Sequence, residues 1–114
     1  MEIESRKEDK FCVVRVKGRM DAVSAPEFET ACSERIEMGE SAFLVDLEGL
    51  EYISSAGLRA LLVIAKKLKS NNGSISFCSL KPVVERVFSL SGFESMFPLY
   101  DSVQNALAGS LGIA

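Results

Sequence analysis

A chain of 114 residues has room for one domain with one core. Hydrophobic residues make up 47% and charged residues 25%, and a net charge of −3 with no basic block argues against nucleic acid or an anionic membrane as the main partner. The complete absence of histidine excludes every Ser-His and Cys-His arrangement and removes the commonest metal ligand.

The first ten residues, MEIESRKEDK, are mostly charged and lack the apolar core of a signal peptide. The longest apolar run, residues 60–65, is far too short to span a bilayer. A cytoplasmic protein is therefore expected, and its three cysteines (Cys12, Cys32, Cys78) are expected to be buried free thiols, since none has metal-ligand spacing.

Residues 11–17, FCVVRVK, predict a strand with Cys12, Val14 and Val16 on one face, ended by Gly18. Ser24-Ala25-Pro26-Glu27 then reads as a helix start: a capping serine, a proline in the first turn and a glutamate to complete a capping box. Phe28, Ala31, Cys32 and Ile36 recur at helical spacing until Gly39. Residues 42–47, AFLVDL, form a short apolar run suited to a strand covered on both faces.

The clearest helix follows residues 52–55, with Leu58, Leu61, Leu62, Ala65 and Leu68 in one stripe and Asn71-Asn72-Gly73 at its end. Residues 74–79 read as a strand. Residues 82–90 read as a helix with Val84, Val87 and Phe88 inward, stopped by Gly92. A brief strand is expected at 96–99, then a last helix capped by Asp101 or Ser102 and carrying Val103, Ala106, Leu107 and Leu111. This alternation predicts a single α/β domain over residues 1–114, with a mixed, mostly parallel central sheet and about four helices. Any antiparallel strands belong to the part before Ala42.

The stretch YISSAGLR, residues 52–59, sets the functional question, because two hydroxyls open a helix there. No carboxylate dyad stands out by spacing, and Gly57 is not part of a phosphate-binding loop. Ser55 as a nucleophile would need a lysine or carboxylate base, so an enzyme is disfavoured. One serine is expected to be the N-cap of the helix. The same helix terminus, with free N–H donors and partial positive charge, would also accommodate a phosphate on serine, and Arg59 in the first turn could contact it. Opposite the leucine stripe lie Arg59, Lys66 and Lys67. Between them, Ala60, Val63 and Ile64 make the apolar arc wider than one buried face needs, to be covered by a neighbouring helix or used as a docking surface beside Ser55.

Two motifs carry a resemblance. Gly18-Arg19-Met20-Asp21 with Ser24-Ala25-Pro26 looks like a G-x-[LIM]-D…[ST]-A segment, and Asp46-Leu47 with Ile53-Ser54-Ser55-Ala56-Gly57-Leu58 is similar to D-L…[MI]-D-S-[ST]-G-L. The chain resembles the STAS domain proteins over nearly its whole length, in particular the bacterial anti-sigma factor antagonists. That resemblance implies a small STAS-type domain in the cytoplasm that binds an anti-sigma factor acting as a serine kinase. The kinase uses ATP to phosphorylate one serine, releasing the antagonist, and a serine phosphatase restores it.

By the resemblance the acceptor is Ser55, with Ser54 the second choice. The partner-binding surface takes in Asp21, Ser24, Ser54, Ser55, Ala56, Gly57, Arg59 and Val63. Neither a catalytic centre, a metal nor a cofactor is implied. The chain departs from the family where Ser54 replaces the usual aspartate before the acceptor and Ala56 replaces a second hydroxyl after it. Two other functions stay open: a STAS subunit of a transporter or signalling scaffold that is never phosphorylated, and a small serine-based enzyme. A monomer without direct nucleic-acid or membrane contacts is expected, with oligomers left open.

Overall fold

The structure is a computed structural model that describes residues 1–110. Ten elements follow one another: β1 (Glu2–Glu8), β2 (Phe11–Met20), α1 (Ala25–Glu37), β3 (Ala42–Ile53), α2 (Ser55–Ser70), β4 (Ser74–Cys78), α3 (Pro82–Ser91), α4 (Phe93–Met96), β5 (Leu99–Tyr100) and α5 (Val103–Ser110). The five strands lie side by side in chain order, with β1 antiparallel to β2 and each later pair parallel. The expected α/β class holds, with five helices among the described residues where about four were expected. Leu111, assigned above to the last helix, lies outside the described residues.

The antiparallel strand anticipated before Ala42 is β1, cut from the charged N-terminal stretch. Its side chains are mostly exposed at the sheet border, so no apolar alternation marks it in the sequence. Gly18 does not end β2. It sits at φ +99 where the register against β3 shifts between Gly18 and Arg19, and the strand continues to Met20. This is a bulge, a conformation that glycine adopts without steric cost. β3 likewise runs past Leu47 to Ile53, because Leu50 and Ile53 stay buried while Glu48, Glu51 and Tyr52 lie open to solvent.

The sheet is covered on both faces. One core joins Cys12, Val14, Val45 and Phe77 to Phe28 and Cys32 of α1, Ala60, Leu61 and Ile64 of α2, and Val84 and Phe88 of α3. The other joins Phe11, Val13, Leu44 and Cys78 to Ala106 of α5. The buried face of α2 is rotated from the leucine stripe. Ala60, Leu61, Ile64 and Leu68 are fully buried, whereas Leu58, Leu62 and Ala65 are half-buried. Packing in the cluster that contains Phe28 and Cys32 covers the surplus at Ala60 and Ile64, and Lys67 donates to Ser33 Oγ of α1 at 2.8 Å.

At the C-terminal end, Phe77, Phe88, Phe93 and Phe97 make four edge-to-face ring contacts with centroids 5.3–5.5 Å apart. They hold residues 93–96 as the short helix α4, so the strand expected at 96–99 begins only at Leu99. Gly92, at φ +83, turns the chain from α3 into α4. Ser102 rather than Asp101 caps α5, its Oγ accepting from Asn105 N at 3.0 Å. No described helix is long and apolar enough to cross a membrane.

Candidate functional site

Parallel pairing of β2 with β3 sets Arg19 beside Tyr52 and Met20 beside Ile53, so the two strands finish together. Asp21 leaves the end of one strand as Ser54 leaves the end of the other. Ser54 N donates to Met20 O at 2.9 Å, fixing the turn into α2. Ser54 has extended backbone angles (φ −95, ψ 176) and is the N-cap of α2. Its Oγ accepts from Gly57 N at 3.2 Å and its carbonyl from Leu58 N at 2.9 Å.

Gly57 is what allows this approach. A Cβ there would lie 2.7 Å from Met20 O and 2.7 Å from Ile53 Cγ1, well inside van der Waals contact. Gly57 is buried, so it shapes the site from beneath and offers little surface.

Ser55 is the first residue of α2 and is exposed. Among the described residues its hydroxyl makes no hydrogen bond, in contrast to the half-buried, capping Ser54. Ala56 is half-buried, and Arg59 is exposed with no ion pair among the described residues. Val63 is also half-buried but stands two turns further on, about 12 Å along the axis from Ser55. The structure thus gathers Asp21, Ser24, Ser54, Ser55 and Ala56 over Gly57, with Arg59 in the adjoining turn and Val63 at a distance.

The loop from β2 to α1 is held by its own side chains. Asp21 Oδ1 accepts from Val23 N and Ser24 N, each at 3.1 Å. Ser24 Oγ accepts from Asp21 N at 2.9 Å and donates to Arg19 O at 2.8 Å. Chiefly the Ser24 N–H bond to its carboxylate, with further lowering from Ser24 Oγ, Val23 N–H and the Arg19 charge, holds the Asp21 pKa below its ordinary value.

The capping box expected at Ser24 is not formed. Ser24 has helical angles (φ −92, ψ −21), and its hydroxyl faces back toward Arg19 and Asp21 instead of forward to the α1 amides. Its role is to lock the loop.

Two features were not anticipated in the sequence. Val23, at the tip of the locked loop, is 88% exposed. The Arg19 guanidinium lies 4.2 Å from the centre of the Tyr52 ring, joining the ends of β2 and β3 across the sheet. Arg19 lies within the first motif and Tyr52 immediately precedes Ile53 of the second, but only the strand register, which carries a shift at Gly18, reveals that they meet.

A small α/β fold with its strands in sequential order, carrying an exposed serine at the first position of α2 beside the ends of β2 and β3, is the class that the structure defines. The chain belongs to the STAS domain family, which it matches over residues 2–106. It is 37% identical over 108 residues to BtrV of Bordetella bronchiseptica, provisionally named an anti-sigma factor antagonist, a match covering 95% of this chain and 93% of the relative. A solved anti-sigma factor antagonist from Mycobacterium paratuberculosis superposes with a TM-score of 0.85 at 30% identity, covering 95% of this chain and 92% of the other. The Bacillus cell fate determinant SpoIIAA in its phosphorylated form has the same fold, with a TM-score of 0.75 at 18% identity and coverage of 96% and 99%.

Proposed function

We propose that this chain is a cytoplasmic anti-sigma factor antagonist, a regulatory binding protein and not an enzyme, whose partner is an anti-sigma factor with serine kinase activity. Phosphorylation of Ser55 breaks the complex and a serine phosphatase restores it. The observation that carries the reading is the division of labour between the two serines. Ser54 Oγ is engaged as the helix cap, while Ser55 presents a free hydroxyl to solvent at the first position of α2. The relatives' names support antagonism of an anti-sigma factor, and SpoIIAA, of the same fold, has been solved with phosphate attached.

The physics of release follows from position. A phosphate on Ser55 sits at the positive end of the α2 dipole, with Arg59 one turn away, so the isolated domain tolerates it. In a complex the same charge would have to be desolvated within the interface. A misplaced buried charge costs several kcal/mol, about 3–5 where no partner compensates it. Fold and binding therefore respond in opposite directions to one modification.

The test is incubation with ATP and the anti-sigma factor kinase of the native host, followed by mapping of the phosphate by mass spectrometry. Ser55→Ala should abolish incorporation and give a complex that ATP does not dissolve, Ser55→Asp should fold normally and bind weakly, and Ser54→Ala should still accept phosphate. Incorporation lost in Ser54→Ala alone would move the acceptor by one residue. Incorporation unchanged in both variants would put the acceptor elsewhere in the chain, and no incorporation into the parent would favour a STAS subunit that works without phosphorylation.

A further inference from the structure

At the far end of α2 from Ser55, a groove of about 460 Å³ opens between that helix, the start of β4 and the residues leaving α4. Its floor is apolar. Leu62 and Ala65 of α2 are half-buried, Ile75 of β4 is buried, and Phe97 is half-buried, while Met96 stands 58% exposed at the lip. Lys66 and Lys69 line the same groove. They lie at the i+4 and i+7 positions from Leu62, so one helix face presents the apolar floor and both cations together.

No acidic side chain lines the groove. Both lysines are exposed, and neither has an ion-pair or hydrogen-bond partner among the described residues, whereas Lys67 between them is engaged by Ser33. An apolar trough of small-molecule size with two uncompensated cations on one side is complementary to a ligand with a hydrocarbon body and an anionic end. A purely apolar occupant would leave the cations unused, and a polar anion would not cover Ile75 and Phe97.

We propose that this groove is a binding site for a small amphiphilic anion of the acyl-carboxylate class, its chain along Leu62, Ile75 and Phe97 and its carboxylate at Lys66 and Lys69. The site is separate from the proposed phosphoacceptor. Lys69 is fourteen positions beyond Ser55 on α2, about 21 Å of rise away.

The probe is decanoate, titrated below its micelle concentration into the full chain and followed by calorimetry and by amide shifts in NMR. The expected result is saturable one-to-one binding with shifts at Leu62, Ile75 and Phe97. Shortening the chain should weaken binding by up to roughly fourfold per methylene. Decanol, with the same chain and no charge, should bind at least tenfold more weakly. The double variant Lys66→Glu/Lys69→Glu should lose at least tenfold in affinity while remaining folded, with only a small drop in melting temperature because Lys69 lies in the last turn of α2. Ser55→Asp should bind decanoate as the parent does.

Three outcomes would overturn the proposal: no saturable binding, equal binding of decanol, or affinity unaltered by the charge reversal. A concentration-dependent dimer in sedimentation that the charge reversal dissolves would instead assign the groove to a second copy of the chain, and would also overturn it.

Discussion

Asp21 and Ser24 illustrate how two short polar side chains can fix a loop without a core. The Asp21 carboxylate takes two backbone N–H groups that would otherwise face water, and Ser24 Oγ closes the turn in the other direction. Because the pKa of Asp21 is lowered in the folded state, its contribution to stability is complete above the ordinary value of 3.8 and is lost as pH falls through the lower folded value. Asp21→Ala should therefore melt below the parent at neutral pH, with the gap closing in acid; a gap independent of pH would show that the carboxylate's charge is not what holds the loop. At the neighbouring strand end, Ser54→Ala removes the α2 cap and should cost about 1 kcal/mol. Gly57→Ala forces a methyl against Met20 O and should cost about 1–3 kcal/mol. Denaturant unfolding of the two variants checks both, and a neutral Gly57→Ala would mean that α2 can retreat from β2.

At the scale of elements, helical spacing revealed that α2 exists and ends at Asn71, but not which way it faces. Periodicity reports the width of an apolar arc, while its centre is set by the elements on which it packs, and here the core that includes Phe28 and Cys32 draws Ala60 and Ile64 inward. Leu61→Ala should accordingly cost about 2–5 kcal/mol, Leu62→Ala distinctly less from its half-buried position, and Lys66→Ala no more than about 0.5 kcal/mol. Thermal melts that rank Leu62 with Leu61 would restore the original stripe. The strands were under-read for a related reason. β1 carries alternating charges at the sheet border, and the far end of β3 mixes buried Leu50 and Ile53 with open Glu48 and Glu51, so neither shows the apolar run of a central strand. The serines, by contrast, were legible, because an N-cap is written in two or three adjacent residues. The Arg19–Tyr52 pair was not, because it depends on a register between segments more than thirty residues apart.

Across the whole molecule, the two cores leave no thiol near the surface. Cys12, Cys32 and Cys78 are buried and unpaired. Burial pushes the Cys32 thiol up to about 12 and that of Cys78 up to about 11, and raises Cys12 as well. Thiolate is the reactive form, so the native protein should resist alkylation at neutral pH and label only as it unfolds globally, whereas the denatured protein should titrate three thiols without reductant. Rapid labelling of Cys32 in the native protein would point to local opening between α1 and the sheet. The sequential strand order has a further result. One border of the sheet is β1, with Arg6, Lys7 and several glutamates along it, and the other is β5, only two residues long. Neither border offers a long apolar template, so both discourage the edge-to-edge addition of strands from another copy, β1 by its charges and β5 by its shortness.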